Sequence, residues 1–532
     1  MFDFDWSFPY PSQRMPVLAE DVVATSQPLA AEAGLEMFRR GGNAVDAAVA
    51  AAITLTVVEP TANGIGSDNF ALTWRDGTLH GMNSSGRAPA AMNPERFLAA
   101  GEMSFNGWDP ITVPGAVAGW LDLVRRHGTL PFADHFEPGI RYGRDGFLAS
   151  PQTGSGWRRA GRRWPKEDHA AFHDTFLPNG RGPGTGRMVT LPDHARTLEL
   201  IAETEADAFY RGPLADAIER AAREAGAPMR RSDLEAHRVD AVEPISIDYK
   251  GWTLHEIPPN GQGIAALIML GIIRHTPVAD LDPDCPDSLH LQIEAMKLGF
   301  RDAHRYVADP ASMELTPAQM LDAAYLESRA ALIDPERATD FSHGVPKDGG
   351  TVLITAAGRD GTMISLIQSN YTGFGSGVVI PGTGISMQNR GACFTFERGH
   401  PNAPGPGKRP FHTIIPAFIT RNGEPVSAFG VMGGAMQPQG HAQMVMRMAD
   451  HGQNPQAALD APRWQVTEGL EVMIEPGFPE GTADELRARG HEVVEATERT
   501  VRFGGGQIIV RMPDGGYCGA SDLRRDGQAV GR

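Results

Sequence analysis

Asp348-Gly349-Gly350-Thr351-Val352-Leu353-Ile354-Thr355 is the stretch on which the reading turns. It sets a threonine directly after two glycines, at the head of a β-like run. Gly358-Arg359-Asp360-Gly361 then separates this run from a second one, Thr362-Met363-Ile364-Ser365-Leu366-Ile367. An Asp-Gly turn between two such runs predicts a β-hairpin. If the chain were cut before Thr351, the threonine hydroxyl would sit beside its own free amine, a nucleophile and a base on one residue. An ordinary strand start is the alternative reading, and this segment alone leaves both open.

The residues upstream bear on that choice. Asp334 to Gly350 is polar, broken by Pro and Gly and without periodicity, as an exposed cleavage segment would need to be. Further back, a helical pattern over 28–40 stops at Gly41-Gly42. Asn43 then caps an Ala/Val-rich helix running to Val58, with Asp46 in the capping-box position and Pro60 as the stop. That helix is apolar nearly all round, which predicts burial between layers. A hairpin is expected from Phe70 to Met82 around Arg75-Asp76-Gly77, and the combination points to a layered α/β sandwich. From Gly115 to about Ala225 the pattern is mainly helical, with Gln152 to Gly186 read as an irregular surface excursion. Ile245 to Ile257 reads as a strand leading into Pro258-Pro259-Asn260-Gly261-Gln262-Gly263, and helices are expected over 264–273 and 287–307.

Downstream of the central hairpin, Thr372 to Gly377 is Gly-rich but fits no phosphate-binding spacing. Strands are expected at 414–420 and 425–429, joined by a turn at Asn422-Gly423. The second ends in Gly430-Val431-Met432-Gly433-Gly434, after which a Met-rich helix starts near Pro438. Backbone N–H groups at such a strand-to-helix turn can point at a developing oxyanion. A simple tight turn is the structural alternative there.

Composition narrows the function classes. Hydrophobic residues make up 41% and charged residues 21% of the 532, ordinary for a globular protein. Acids outnumber bases by 65 to 48, a net charge of −17, which disfavours nucleic acid and anionic lipid as partners. The acidic, Pro-containing start lacks the features of a secretory signal, no apolar run is long enough to span a membrane, and three widely spaced cysteines form no disulfide framework. A cytoplasmic protein is expected. No serine stands in a GxSxG elbow, and no HExxH pair or close Cys/His cluster is present. Neither a metal nor a cofactor is expected.

Taken together, Gly41-Gly42-Asn43-Ala44-Val45-Asp46-Ala47-Ala48, Gly64-Ile65-Gly66, Pro114-Gly115-Ala116-Val117-Ala118-Gly119, Ala208-Phe209-Tyr210-Arg211-Gly212, Lys408-Arg409-Pro410, Gly433-Gly434 and Tyr517-Cys518-Gly519-Ala520-Ser521-Asp522 resemble the γ-glutamyltransferase family of N-terminal-nucleophile hydrolases. The resemblance implies a four-layer αββα sandwich and a precursor that cleaves itself between Gly350 and Thr351. The products would be a large subunit, 1–350, and a small one, 351–532, intertwined as one domain; a homodimer of the processed pair is an open alternative. It implies Thr351 as nucleophile, Ser369 as a second hydroxyl bonded to it, and Gly433 and Gly434 as the oxyanion pair. Thr413 keeps one hydroxyl of a Ser-Ser pair found in typical members, and His412 replaces the other.

The departures from the family pattern fall where the γ-glutamyl group would be read. Tyr371, Arg390 and Cys393 stand at positions where the resemblance implies Asn, Gln and Asp, and Asn93-Pro94-Glu95-Arg96 matches the family arginine only with a shift. An ammonium beside Arg390, with no acid to balance it, would be penalised. The segment from Phe394 to Lys408 also reads as a shortened lid. The expectation is therefore hydrolysis of a small, carboxylate-bearing amide such as oxamate, with Arg390 and His412 as the candidate clamp. Glutaryl-type acylases and γ-glutamyl hydrolases or transpeptidases acting on glutathione-like substrates are the alternatives, and a non-catalytic binding protein of the same fold is a more distant one.

Overall fold

Apolar side chains on both faces of the Thr351 strand require cover on both sides, and the fold supplies it. A computed structural model describes residues 14–341 and 350–532. Its two seven-stranded sheets are built from β1 (Val17–Ala19), β2 (Val22–Thr25), β3 (Asp68–Arg75), β4 (Thr78–Ser84), β5 (Asp240–Val242), β6 (Ile245–Tyr249), β7 (Trp252–Glu256), β8 (Gly350–Ala357), β9 (Met363–Tyr371), β10 (Ala417–Arg421), β11 (Glu424–Met432), β12 (Gly505–Arg511), β13 (Tyr517–Ser521) and β14 (Gln528–Gly531). The first sheet runs β14-β2-β8-β9-β3-β4-β5 and the second β1-β13-β12-β11-β10-β7-β6, with antiparallel neighbours throughout.

Strand alternation then assigns the layers. Val352, Ile354 and Ala356 face a core shared with α1 (Pro28–Arg39), α2 (Ala44–Val58) and α3 (Ala116–His127). Leu353 and Ala357 point the other way, into an inter-sheet core with Phe418, Ala428, Met432 and Ile509. Beyond the second sheet, Leu254, Phe429, Val431 and Ile508 share a third core with α4 (Ile264–Ile273), α5 (Pro286–Tyr306) and α6 (Met436–Ala449). Three apolar layers between four structural ones make an αββα sandwich.

α2 carries no polar stripe, and all 15 of its residues are buried. Its capping box forms as expected: Asn43 Oδ1 accepts from the Val45 and Asp46 amides at 2.9 and 3.2 Å, and Asp46 Oδ2 accepts from Asn43 N–H at 2.8 Å.

Several expectations need correction. The stretch 245–257 is two strands, β6 and β7, because Lys250 and Gly251 both take positive φ and turn the chain back. Gln152 to Gly186 is no surface excursion: Pro151–Arg163 and Ala170–Phe176 are helices, and Trp157, Trp164, Phe172 and Phe176 are buried around Phe374 of the Gly-rich loop. The arginines between them hide an apolar stripe that composition alone reads as polar. α6 begins at Met436, two residues before Pro438. Of the expected cleavage segment, 334–350, residues 342–349 lie outside the described residues.

Candidate active site

Thr351 stands at an irregularity in the β8–β9 pairing. Gly350 pairs with Tyr371 and Val352 with Gln368, so Ser369 and Asn370 together oppose Thr351. A bulge of this kind re-aims side chains. Here Thr351 Oγ1 donates to Ser369 Oγ at 3.1 Å, with both residues fully buried. Tyr371 closes the bulge with φ +74°, a backbone region that non-glycine residues occupy only when their surroundings impose it. Its N–H donates to Ser369 Oγ at 2.8 Å.

Arg390 converges on the same hydroxyl. Its Nη2 donates to Ser369 Oγ at 3.3 Å and its Nη1 to Thr413 Oγ1 at 2.7 Å, while Cys393 Sγ lies 3.8 Å from Nη1. The guanidinium lies over the Tyr371 ring at 4.6 Å, and Phe105 stacks on that ring in turn. Arg390 is wholly buried, yet none of the described carboxylates is within ion-pair distance and its Nε has no hydrogen-bond partner. A buried charge without an ion pair costs several kcal/mol, and the field of the buried Asp68 carboxyl, on which Arg390 acts, offsets part of that cost. Arg96, by contrast, is exposed and paired with Asp109.

Sequence reading treated Arg390 as standing in a site with no acid. Asp68 corrects that: it faces Ser369 across β3 and β9 and is fully buried. Its Oδ1 accepts from the Gly86 and Gly115 amides at 3.2 Å each, and its Oδ2 lies 3.2 Å from His412 Nε2. Burial pushes the Asp68 carboxyl up to about 7, against the opposing pull of Arg390. Burial, with Arg390 and Arg409 nearby, holds His412 well below the usual histidine range. His412 Nδ1 accepts from Ile414 N–H at 3.3 Å, which assigns the ring proton to Nε2 and directs it at Asp68. Both ring nitrogens are thus engaged, and His412 braces Asp68 instead of reaching Arg390's open side. Asp68 and His412 lie 344 residues apart, so local pattern gives no sign of the pair.

Gly433 and Gly434 connect β11 to α6 with φ of +138° and +59°. A side chain at Gly433 would sit 2.9 Å from Gly504 Cα, so the turn admits no substituent. Their carbonyls accept from Met436 and Gln437 N–H in the first turn of α6. Gln262, which sequence reading left without a role, ties this turn to the rest of the site. Its Nε2 donates to Thr413 O at 2.6 Å and to Gly434 O at 2.8 Å, and its own amide donates to His412 O. The Pro258–Gly263 segment therefore sets both the hydroxyl that holds Arg390 and the Gly-Gly turn.

Away from Thr351, His290, Glu294 and His491 come close enough to suggest a metal site that sequence spacing did not reveal. Their polar atoms are already spent on one another and on Lys297. Lys297 Nζ donates to Glu294 Oε1 at 2.8 Å and lies 3.4 Å from His491 Nδ1, His491 Nε2 meets His290 Nδ1 at 2.8 Å, and His290 Nε2 meets Asp334 O at 2.8 Å. An ammonium already provides the positive charge that an ion would bring.

Comparison with known proteins accords with this geometry. The family model for gamma-glutamyltranspeptidase matches residues 30–532. The chain is 33% identical over 522 residues to the Glutathione hydrolase-like YwrD proenzyme of Bacillus subtilis, covering 96% of this chain and 98% of that one. It is 34% identical to the Oxamate amidohydrolase proenzyme of Klebsiella pneumoniae, covering 94% and 97%. The crystal structure of cephalosporin acylase from Bacillus halodurans superposes with a TM-score of 0.95 at 48% identity, over 100% of this chain and 99% of that one. With a family model spanning nearly its whole length, relatives matched end to end and the same fold, this chain belongs to the gamma-glutamyltranspeptidase family of enzymes.

Proposed function

We propose that the chain is a self-processing amidohydrolase in which Thr351 serves first as the nucleophile of its own cleavage and then as that of catalysis. In the precursor, Thr351 Oγ attacks the carbonyl of Gly350, a residue with no side chain to hinder it; the Gly350–Thr351 C–N bond breaks to leave an ester on Thr351 Oγ, and water hydrolyses that ester to give the Gly350 carboxylate. Cleavage frees the Thr351 α-amine, with a reference pKa of roughly 7.7 to 8, to act as base toward its own hydroxyl. The hydroxyl then attacks a substrate amide, the amine half leaves, and water releases the acyl group from the threonyl ester. Gly433 and Gly434 N–H groups stabilise the oxyanion, and Ser369 orients the nucleophile.

The acyl half is a small group bearing a carboxylate. One observation carries this reading: Arg390 is buried beside the Thr351–Ser369 pair, in ion-pair contact with none of the described carboxylates and with Nε unpartnered. Thr413 and Tyr371 fix the guanidinium, and Asp68 with His412 closes the site behind it. Oxamate fits a single carboxylate clamp, and an oxamate amidohydrolase is among the relatives. A glutaryl amide is the second reading, favoured by the 48% identity to a cephalosporin acylase.

On a denaturing gel, wild-type protein is expected as two bands, whereas Thr351→Ala should remain one chain of 57.2 kDa. Oxamate and glutaryl amides should be turned over in preference to γ-glutamyl-p-nitroanilide. Efficient turnover of the γ-glutamyl compound would reject the Arg390 clamp.

A further inference from the structure

The chain over 334–341 has no regular secondary structure, yet its backbone is held. His290, Glu294, Lys297 and Arg301 recur at helical spacing along one face of α5. His290 Nε2 donates to Asp334 O at 2.8 Å, and Glu294 Oε2 accepts from Thr339 N–H at 3.0 Å. Lys297 Nζ donates to Thr339 O at 3.4 Å and Arg301 Nη1 to Phe341 O at 2.8 Å. From the other side, Arg489 O accepts from Ala338 N–H at 2.7 Å, while Phe341 is buried in the core shared by α4 and α5. From these contacts we propose that this face of α5 is a docking junction for the chain that leads to the cut, and that Glu294 and Lys297 are positioning residues for self-cleavage. The proposal rests on the self-processing reading above.

A buried Glu–Lys pair is on balance no gain over apolar packing, so the pair at 294 and 297 calls for something to hold. An irregular segment supplies it, because its amides and carbonyls lack helix or sheet partners and must be met by side chains. The ring tautomers leave one consistent pattern. A carbonyl can only accept, so His290 carries its proton on Nε2 and accepts at Nδ1 from His491 Nε2–H at 2.8 Å. His491 Nδ1 is then left to accept from Lys297 Nζ at 3.4 Å. Burial and the neighbouring ammonium push His491 down to about 3, which keeps that ring neutral. Arg489 and His491 belong to the fragment that follows the cut, so the junction also joins the two fragments. Gly350, at the other end, is fixed by its pairing with Tyr371. Releasing the junction moves the upstream tether from Phe341 back to Ile333, which packs on the same core, and nearly doubles the chain from there to Thr351. Closure entropy then makes the cleavage-competent pose of the Gly350–Thr351 bond about threefold rarer.

Pulse-labelled cell-free synthesis of the full chain, followed on denaturing gels, reads the first-order rate of cutting before Thr351. Lys297→Met should slow it at least about threefold. Glu294→Gln, which keeps an acceptor for Thr339 N–H but removes the charge facing Lys297, should slow it less, and it carries the comparison if Lys297→Met does not fold. Gln292→Leu is the control: it removes buried hydrogen bonds of the same helix, to Ser288 and Trp464, and should leave the rate unchanged. Slowing by Gln292→Leu equal to that of the junction variants, or no slowing by any of them, overturns the proposal. Hydrogen exchange of the 334–341 peptide, measured on the uncut Thr351→Ala chain, supplies a readout that general destabilisation does not move. Exchange there should quicken when Lys297→Met is added and not when Gln292→Leu is added; equal exchange overturns the junction. If the wild-type chain is never cut, the self-processing reading has failed instead, and the exchange comparison still decides whether the junction holds 334–341.

Discussion

Arg390 spends two nitrogens on hydroxyls, Ser369 and Thr413, and leaves Nε without a partner. In the proposed clamp a substrate carboxylate accepts from Nε–H without displacing either hydroxyl. Arg390→Gln should raise KM for a carboxylate-bearing amide roughly 10- to 150-fold, the range of 1.5–3 kcal/mol for a hydrogen bond to a charged group. Steady-state kinetics on the processed variant checks this; unchanged KM would place the carboxylate elsewhere. At this scale the placing of Thr351, Ser369 and Arg390 beside one another was legible in the sequence, because the resemblance singles out all three. Asp68 and Gln262 were not, since their meaning lies in contacts to His412, Thr413 and Gly434 more than 150 residues away. Local pattern carries no information about such partners.

Elements of secondary structure were more readable than their consequences. The helix of α2, its capping box and the hairpin around Asp76-Gly77 follow from local spacing and are present. The bulge that turns Thr351 toward Ser369 does not, because it depends on the register between two strands. Nor does the bridge from Gln262, which joins the approach to α4 with the Gly-Gly turn before α6. Gln262→Leu, which keeps the bulk but removes both donors, should lower kcat by roughly 10- to 100-fold with a smaller change in KM, below the roughly 100- to 1,000-fold typical of losing an oxyanion donor outright. An effect on KM alone would show that the bridge does not act on the turn. At the C-cap of α2, Glu59 has its folded pKa raised to about 7 from 4.5. Its contribution to stability is therefore fully present below pH 4.5 and lost as pH rises through about 7. Glu59→Gln should remove that loss, so thermal melts of variant and wild type should diverge in the variant's favour between pH 5 and 8.

Across the whole molecule, the two predicted fragments share both sheets. In the first, β8, β9 and β14 alternate with β2 and β3; in the second, β1, β6 and β7 flank strands from beyond residue 351. Cutting one peptide bond before Thr351 would leave these pairings and the three apolar layers in place, so processing need not loosen the fold. The layered class was legible because a buried helix and two-faced apolar strands admit few architectures. The aromatic cluster around Phe374 was not, because its members are dispersed among arginines and glycines. The central claim is that this sandwich exists to present Thr351 as a free N-terminus. Intact-mass spectrometry of the purified protein under denaturing conditions tests it most directly. The expected result is two species, residues 1–350 and a second beginning at Thr351 and ending at Arg532. A single unprocessed chain of 57.2 kDa after prolonged incubation, or a cut at any other bond, would contradict it.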